Sequence, residues 1–304
     1  MHGIMAVATT HLCRIISDNS TYKVAEAYHW QQAISQYSRE IQMGVGLHNM
    51  DPLFATCMLS SVLLFSTEEY KPANSWLFQP GRNQEALNWL VLQCGLRHLL
   101  GLTSGLLHQS MWFDMFMEAH DSNGSFDIHD DHRPGRDGLP PDLCDLCGID
   151  DATDEDTSPY HWPLRMLAPL LGLELSLSSF QKYTTFMGRL LPDYLDLLLD
   201  KDPPALIILS WWLALMCSVK LWWFEPRVRS ECAAICMYLE DHPDPRILPL
   251  LKFPADACGY VLRRTRSQVL FDPSSSGLLY TENPAVLALE GLYDSSYESE
   301  ARSS

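Results

Sequence analysis

The sequence predicts an all-α protein, and three observations support this fold class. An uncharged, strongly apolar run extends from Pro203 to Val219, and several other stretches repeat apolar residues every three or four positions. No stretch shows sustained alternation of apolar and polar residues, which is typical of a half-buried strand. We therefore expect a single irregular helical bundle around a buried central helix at about 203–224, with a disordered acidic loop.

The expected central helix has clear start and stop signals. Asp202 followed by Pro203 is typical of an N-cap with proline in the first turn, and Glu225-Pro226 is expected to end the helix. Apolar residues occupy every side, so this helix must be covered by protein or by lipid. A membrane span needs about 20 apolar residues, and the uncharged part is shorter. We therefore expect burial in protein and keep the membrane span as the alternative.

Amphipathic helices are predicted on both sides of the central helix. The first begins almost at residue 1, and its apolar stripe comprises Ile4, Met5, Ala8, Leu12, Ile15 and Ile16. The second is expected from Tyr22 to Met43, with an apolar stripe formed by Val24, Ala27, Ile34, Tyr37 and Ile41. Further helices are predicted at 53–65, 83–100, 104–118, 162–171, 178–199 with a bend or break at Pro192, and 227–239.

The negative charge is confined to two parts of the chain. The net charge is −17, and residues 121–156 alone contain twelve acidic and two basic side chains. We predict a helical regulatory domain at 1–262 that contains a disordered acidic insert at 121–158, followed by an acidic tail at 263–304. Binding to nucleic acid requires clustered basic residues, so we expect no direct contact with nucleic acid.

The cysteines and the N-terminus bear on the cellular compartment. Nine cysteines are an odd number, and most lie within apolar helical patterns, which favours a reducing compartment. No basic region precedes the apolar residues at the N-terminus, so we predict no signal peptide.

One metal-binding pattern lies in the acidic insert. His129-x-x-His132 and Cys144-x-x-Cys147 are two pairs of zinc-ligand residue types at nearly suitable spacing. The alternative is that these residues are incidental in a disordered insert, and we expect no metal. No nucleophile motif accompanies the histidines, so we predict neither a catalytic residue nor a cofactor.

Two tryptophan pairs suggest a binding site for an apolar ligand. Their spacing of eleven residues corresponds to three turns of one helix, so both pairs would project from the same two sides of it. Aromatic and thioether side chains with few charges suit an apolar pocket, whereas the alternative is ordinary core packing. The predicted ligand-binding residues are Met187, Trp211, Trp212, Met216, Trp222 and Trp223.

Several hydrophobic motifs carry a resemblance to a known family. In the second half these motifs are the run from Asp202 to Trp212, Trp222-Trp223-Phe224, Arg227-x-Arg229-x-Glu231, Ile235 and Phe253-Pro254. Near the start they are residues 1–6, His11-Leu12, Tyr22, residues 25–30 and Phe54. Over about residues 1–262 the chain resembles the C-terminal regulatory domain of fungal binuclear zinc-cluster transcription factors, in the branch of the sterol-uptake-control regulators.

The resemblance implies a ligand-sensing transcription regulator that works in the nucleus, with shuttling from the cytoplasm. It implies an apolar small molecule, such as a sterol or terpenoid, or a protein partner, such as a second copy or a full-length regulator. The six-cysteine DNA-binding segment of the family has no counterpart here, so direct DNA contact is not expected. A short basic stretch, Arg263-Arg264-Thr265-Arg266, is a candidate for nuclear entry, and the alternative is a solvated turn. The alternative function is a small non-oxidative enzyme of fungal secondary metabolism that uses the same helical pocket.

Overall fold

Helices provide the regular structure of the part of the chain that the structure describes. The computed structural model describes residues 1–16, 20–66, 71–118, 131–173 and 180–263, and these ranges contain no strand. The all-α prediction is therefore confirmed. The α-helices are α1 His2–Ile15, α2 Ser20–Gln42, α3 Met50–Phe65, α4 Asn88–Leu102, α5 Phe113–Glu118, α6 Pro141–Cys147, α7 His161–Leu171, α8 Phe180–Gly188, α9 Pro192–Leu199, α10 Pro203–Met216, α11 Glu225–Leu239, α12 Ile247–Leu250 and α13 Lys252–Cys258.

The chain divides into two units, Met1–Tyr260 and Val261–Ser304. Residues 264–304 lie outside the described residues, and with them lie most of the predicted acidic tail and of the basic stretch. Among the helices that the structure describes, none has both the length and the apolar character required to cross a bilayer.

The central helix is present and buried, but it is shorter than predicted. The Asp202 carboxylate accepts a hydrogen bond from the backbone N–H of Ala205 at 3.0 Å, which caps the first turn of α10. Contacts with α6, α7, α9, α11, α12 and α13 surround this helix. It ends at Met216, so the predicted extent of 203–224 is wrong.

Helix α10 ends shortly before the next charged residue, Lys220. The Lys220 side chain is 62% exposed and its ammonium group bonds to the Glu225 carboxylate, so both charges lie at the surface. Glu225-Pro226 does not end the central helix. Instead it begins α11, where proline in the first turn leaves no required N–H unpaired.

Residues 131–158 form an ordered part of the fold, contrary to the predicted disordered insert. Helix α6 begins with Pro141 and ends at Gly148, whose φ of 67° is the left-handed conformation typical of a helix C-terminus. Leu143 and Leu146 on this helix are buried. Residues 121–130, the rest of the predicted insert, lie outside the described residues.

A buried cation explains how so acidic a segment becomes ordered. The Arg165 side chain on α7 is 2% exposed. Its guanidinium donates to the backbone carbonyls of Asp137 at 2.6 Å, Gly135 at 2.7 Å and Pro134 at 3.2 Å, and to the Asp131 carboxylate at 3.3 Å. One charged side chain thus satisfies the backbone acceptors of a whole turn, a contribution that composition does not reveal.

The first three helices pack through small side chains. Gly3 and Ala6 on α1 and Ala33 on α2 are buried, and a Cβ atom at Gly3 would lie 3.3 Å from Cδ1 of Leu59 on α3. The Thr10 hydroxyl donates to the Glu26 carboxylate at 2.6 Å, which links α1 to α2. Helix α3 then contributes Met50, Leu53, Phe54 and Cys57 to a core cluster with Leu99, Leu107 and Phe116.

Candidate functional site

The first tryptophan pair lies on α10, and each ring has specific partners. The Trp212 indole is fully buried, stacks on Phe186 with ring centroids 5.5 Å apart, and donates to the Tyr183 carbonyl at 2.9 Å. The Trp211 indole is half-buried and donates to the Leu250 carbonyl at 2.9 Å. These contacts are typical of aromatic residues that pack within a core.

The second pair does not continue the helix that carries the first. Trp222 and Trp223 lie in the turn between α10 and α11, so the prediction that both pairs share one rod is wrong. The half-buried Trp222 ring contacts His11 with centroids 4.6 Å apart, and the Arg14 guanidinium lies over it at 5.6 Å. Trp222 therefore connects this turn to α1.

The remaining residues of the predicted ligand site are also part of packed regions. Met187 on α8 and Met216 on α10 are fully buried, and Trp223 is half-buried with its ring edge-to-face with Phe65 at 5.9 Å. An open depression of about 430 Å³ lies along α4 and is lined by Cys94, Arg97, His98, Gly101 and Leu102. None of the six predicted residues lines this depression, and their ligand-binding role stays a prediction.

The predicted zinc pairs do not form a cluster within the residues that the structure describes. His132 stacks on the Trp162 ring at 4.7 Å with an interplanar angle of 8°, and its Nδ1 lies 2.9 Å from the Glu155 carboxylate. Cys144 is buried on α6, whereas Cys147 on the same helix is half-buried. His129 lies outside the described residues.

Three other cysteines converge in the core, although the sequence analysis treats them as small hydrophobic residues. Cys232 and Cys236 lie one turn apart on α11, and Cys258 is the last residue of α13. The three sulfur atoms all lie within 4.8 Å of one another. Cys217, in the turn after α10, is buried beside this triad, and its backbone carbonyl accepts a hydrogen bond from the same Arg229 guanidinium that bonds to the Cys258 carbonyl. We call these four residues the thiol cluster.

The thiols of this cluster change one another's acidity. Hydrogen bonds with Cys217, Cys236 and Cys258, together with burial, raise the pKa of Cys232. Hydrogen bonds from Cys232 and Cys236 lower the pKa of Cys258. Negative charge is therefore favoured first at Cys258, the half-buried member of the cluster.

An arginine holds the two outer members of the cluster in place. The Arg229 guanidinium on α11 donates to the Cys217 carbonyl at 3.3 Å and to the Cys258 carbonyl at 3.4 Å. Its Nε also bonds to the Glu225 carboxylate at 2.9 Å. In the sequence, only the i, i+4 spacing of Cys232 and Cys236 indicates the cluster. Cys217 and Cys258 are distant in sequence and join it because their elements pack together.

Most of the apolar stripe predicted on α1 faces away from the rest of the protein, and only Leu12 among its six residues is half-buried. Its exposed members include Ile4 at 58% and Ile15 at 65% exposure, and the opposite face of the helix carries buried Gly3 and Ala6. Ten of the seventeen exposed large hydrophobic side chains in the described ranges belong to residues 1–47. We call the residues Ile4, Met5, Ala8, Leu12, Ile15 and Ile16 the α1 stripe.

Comparisons of the chain with protein-family models, curated proteins and solved structures found no match. The resemblance to fungal zinc-cluster regulators therefore stays a prediction from the residues quoted above. Two structural features remain as candidate sites: the exposed α1 stripe and the buried thiol cluster.

Proposed function

We propose that this chain is a transcription-regulatory domain of the fungal zinc-cluster type that acts by pairing with a second domain of its own kind. The observation that carries this proposal is the exposure of the α1 stripe. In this function the domain contributes regulation through pairing.

The α1 stripe has the properties of a surface that another protein covers. Exposed apolar residues that stand alone are common on protein surfaces, whereas contiguous apolar patches mark interaction sites. The stripe repeats at helical spacing over 13 residues, from Ile4 to Ile16, which corresponds to a length of about 20 Å. No charged residue belongs to it.

A second copy of the domain is the occupant that this chemistry favours. A stripe without charge is complementary to an identical stripe, and a two-fold axis lets each copy bury the patch of the other. A stable interface buries about 800 Å² on each partner, which is more than one helix face supplies. Val24, Tyr28 and Ile34, which are exposed on the adjoining α2, provide further apolar area.

The observed packing favours this partner over an apolar ligand at the tryptophan pairs. Trp212, Met187 and Met216 are fully buried, and their surroundings are other side chains of the core. A sterol-sized ligand would have to displace these contacts before it could bind. The stripe, in contrast, requires no rearrangement to meet a second domain.

A tethering experiment tests the proposed function. The full chain is fused to a heterologous DNA-binding domain, and transcription of a reporter is measured in a fungal host. We expect the wild-type fusion to change reporter output at least severalfold and Ile4→Glu/Ile15→Glu to abolish the change, because the charges block pairing.

A matched control separates this effect from general damage to the surface. Met111 is 75% exposed and lies outside the α1–α2 region, so Met111→Glu is expected to retain wild-type output. A wild-type fusion that reaches the nucleus but leaves the reporter unchanged contradicts the regulatory function. Equal loss in the stripe variant and in the control contradicts the role of the stripe.

A further inference from the structure

We infer that the thiol cluster is a binding site for a thiophilic metal ion, Zn²⁺, with Cys217, Cys232, Cys236 and Cys258 as ligands. The site is independent of the α1 stripe and of the proposed pairing. Three different elements supply the sulfurs: the turn after α10, helix α11 and the end of α13. A bound ion would therefore connect parts of the chain that are distant in sequence.

The distances between the sulfurs are close to those of a tetrahedral thiolate site. Zinc–sulfur bonds of about 2.3 Å place neighbouring sulfurs of a tetrahedron about 3.8 Å apart. The sulfurs of Cys232, Cys236 and Cys258 all lie within 4.8 Å of one another, whereas Cys217 is buried beside this triad without belonging to it. Binding of the ion therefore requires the three sulfurs to approach one another by up to about 1 Å and the Cys217 side chain to turn toward them.

The helix geometry presents two ligands on the same side. Residues four apart on a helix are neighbours on its surface, so Cys232 and Cys236 face Cys258 together. Cysteine thiolates are the ligands that structural zinc sites use most, and four of them complete such a site without an open position. The burial of Cys217, Cys232 and Cys236 agrees with a structural rather than a catalytic site.

Arg229 supplies positive charge and orientation beside the ligands. Four thiolates with one Zn²⁺ carry a net charge of −2, which is costly in a core unless a cation lies nearby. The Arg229 guanidinium bonds to the carbonyl groups of Cys217 and Cys258, so it fixes the backbone of two ligands. Such outer groups are typical supports of metal ligands.

The cluster also has contacts that metal binding must replace. The Cys232 thiol lies 3.5 Å from the Pro254 carbonyl and 3.8 Å from the Ser210 carbonyl, both of which accept its S–H. These weak contacts are lost when the thiol ionises. Four zinc–sulfur bonds more than compensate for them, since structural zinc binds thiolate sets strongly.

A cobalt titration of the full chain tests this site. The protein is reduced, freed of metal with a chelator and titrated with Co²⁺ under argon. We expect one Co²⁺ per chain, with intense sulfur-to-cobalt charge transfer and the visible bands of tetrahedral cobalt, and we expect an equimolar amount of Zn²⁺ to remove both signals.

Substitution of single cysteines identifies which residues bind the metal ion. Cys232→Ala and Cys258→Ser are expected to lose the tetrahedral bands and at least a hundredfold in Zn²⁺ affinity, with circular dichroism used to verify folding. Cys147→Ser is the matched control, because Cys147 is a half-buried cysteine outside the cluster, and it is expected to bind Co²⁺ as the wild type does.

Three outcomes overturn the assignment. The first is a folded, reduced wild-type chain that shows no thiolate–cobalt signal, which leaves the cluster as ordinary core packing. The second is unchanged binding in Cys232→Ala. The third is tight binding of Cu⁺ alone with no effect of Cys217→Ser, because three thiolates without a fourth suit Cu⁺ rather than Zn²⁺.

Discussion

The acidic segment at 131–158 and the α1–α2 region behave in opposite ways. The first is rich in Asp, Gly and Pro, yet it packs against α7 and contributes a helix to the fold. The second is rich in apolar residues at helical spacing, yet much of its apolar surface is exposed. The composition of a segment therefore does not determine whether its side chains are buried. Burial depends on the contacts that the segment makes with the rest of the fold.

The contrast has a physical origin in two different kinds of contact. In the acidic segment, the buried Arg165 guanidinium satisfies backbone carbonyls and a carboxylate, which offsets the entropy of ordering a polar turn. On α1, the small residues Gly3 and Ala6 allow close packing against its neighbours. The large residues are thereby left on the outer face.

The largest expected effect comes from removing the buried cation. Arg165→Met takes away four hydrogen bonds and leaves backbone carbonyls and the Asp131 carboxylate without their partner, so we expect the free energy of unfolding to fall by about 3 kcal/mol. Urea unfolding measures the loss, and limited proteolysis locates it within 131–158. Arg136 pairs with Asp145 at the surface, and Arg136→Met is expected to cost less than about 1 kcal/mol. Equal losses of unfolding free energy in Arg165→Met and Arg136→Met would contradict the stabilising role of the buried guanidinium.

The packed side of α1 gives the next effect. Ala6 is fully buried, and Ala6→Leu inserts a larger side chain into a close helix contact, which is expected to cost on the order of 2 kcal/mol. Ala8 lies on the exposed side of the same helix, so Ala8→Leu is the matched control and is expected to change stability little. Thermal unfolding of both variants makes the measurement. A reversal of the two results would show that the helix packs through its apolar stripe.

Acid is expected to destabilise the segment 131–158 more than α1. Hydrogen bonds from the Arg133 guanidinium, with the nearby Arg165 charge, lower the pKa of Asp131 from 3.8 to about 2. A carboxyl group with a depressed pKa in the folded state stabilises that state above its unfolded pKa and loses this contribution as the pH falls. We expect amide exchange within 131–158 to accelerate between pH 3.8 and 2, after correction for intrinsic rates, while α1 is unaffected. Hydrogen bonds from Thr153 and Thr157 also lower the pKa of Asp150 and of Asp154, so Asp131→Asn should reduce the pH dependence in this window without removing it, and an unchanged profile would contradict the role of Asp131.

The smallest effect on stability is expected on the exposed stripe. Ile15 is 65% exposed, so Ile15→Ser is expected to change the free energy of unfolding of the dilute chain by no more than about 0.5 kcal/mol. Chemical denaturation at low protein concentration measures it. A loss of several kcal/mol would mean that Ile15 is part of the core.

The sequence was sufficient for the fold class and for much of the helical pattern. The Asp202-Pro203 start of α10 and the break at Pro192 are both found where local signals place them, because capping and proline effects act within a few residues. The end of α10 was not predictable in the same way. Glu225-Pro226 can indicate either the end of one helix or the start of the next, and the sequence alone does not distinguish the two.

Sites built from distant residues were harder to predict. Cys217 and Cys258 join Cys232 only because α10, α11 and α13 pack together, and no spacing in the chain reports that packing. The tryptophan pairs were noticed for their composition, but their partners Phe186, Tyr183 and His11 come from other helices. Periodicity correctly places the α1 stripe on one face of α1, but it does not say what covers that face.

Sedimentation equilibrium of the intact chain tests the central claim, that the α1 stripe pairs with a second domain. The account predicts a concentration-dependent dimer for the wild type and for Met111→Glu, and a monomer for folded Ile4→Glu/Ile15→Glu. A wild-type chain that stays monomeric at high micromolar concentration, or a dimer that survives both stripe charges, would contradict it.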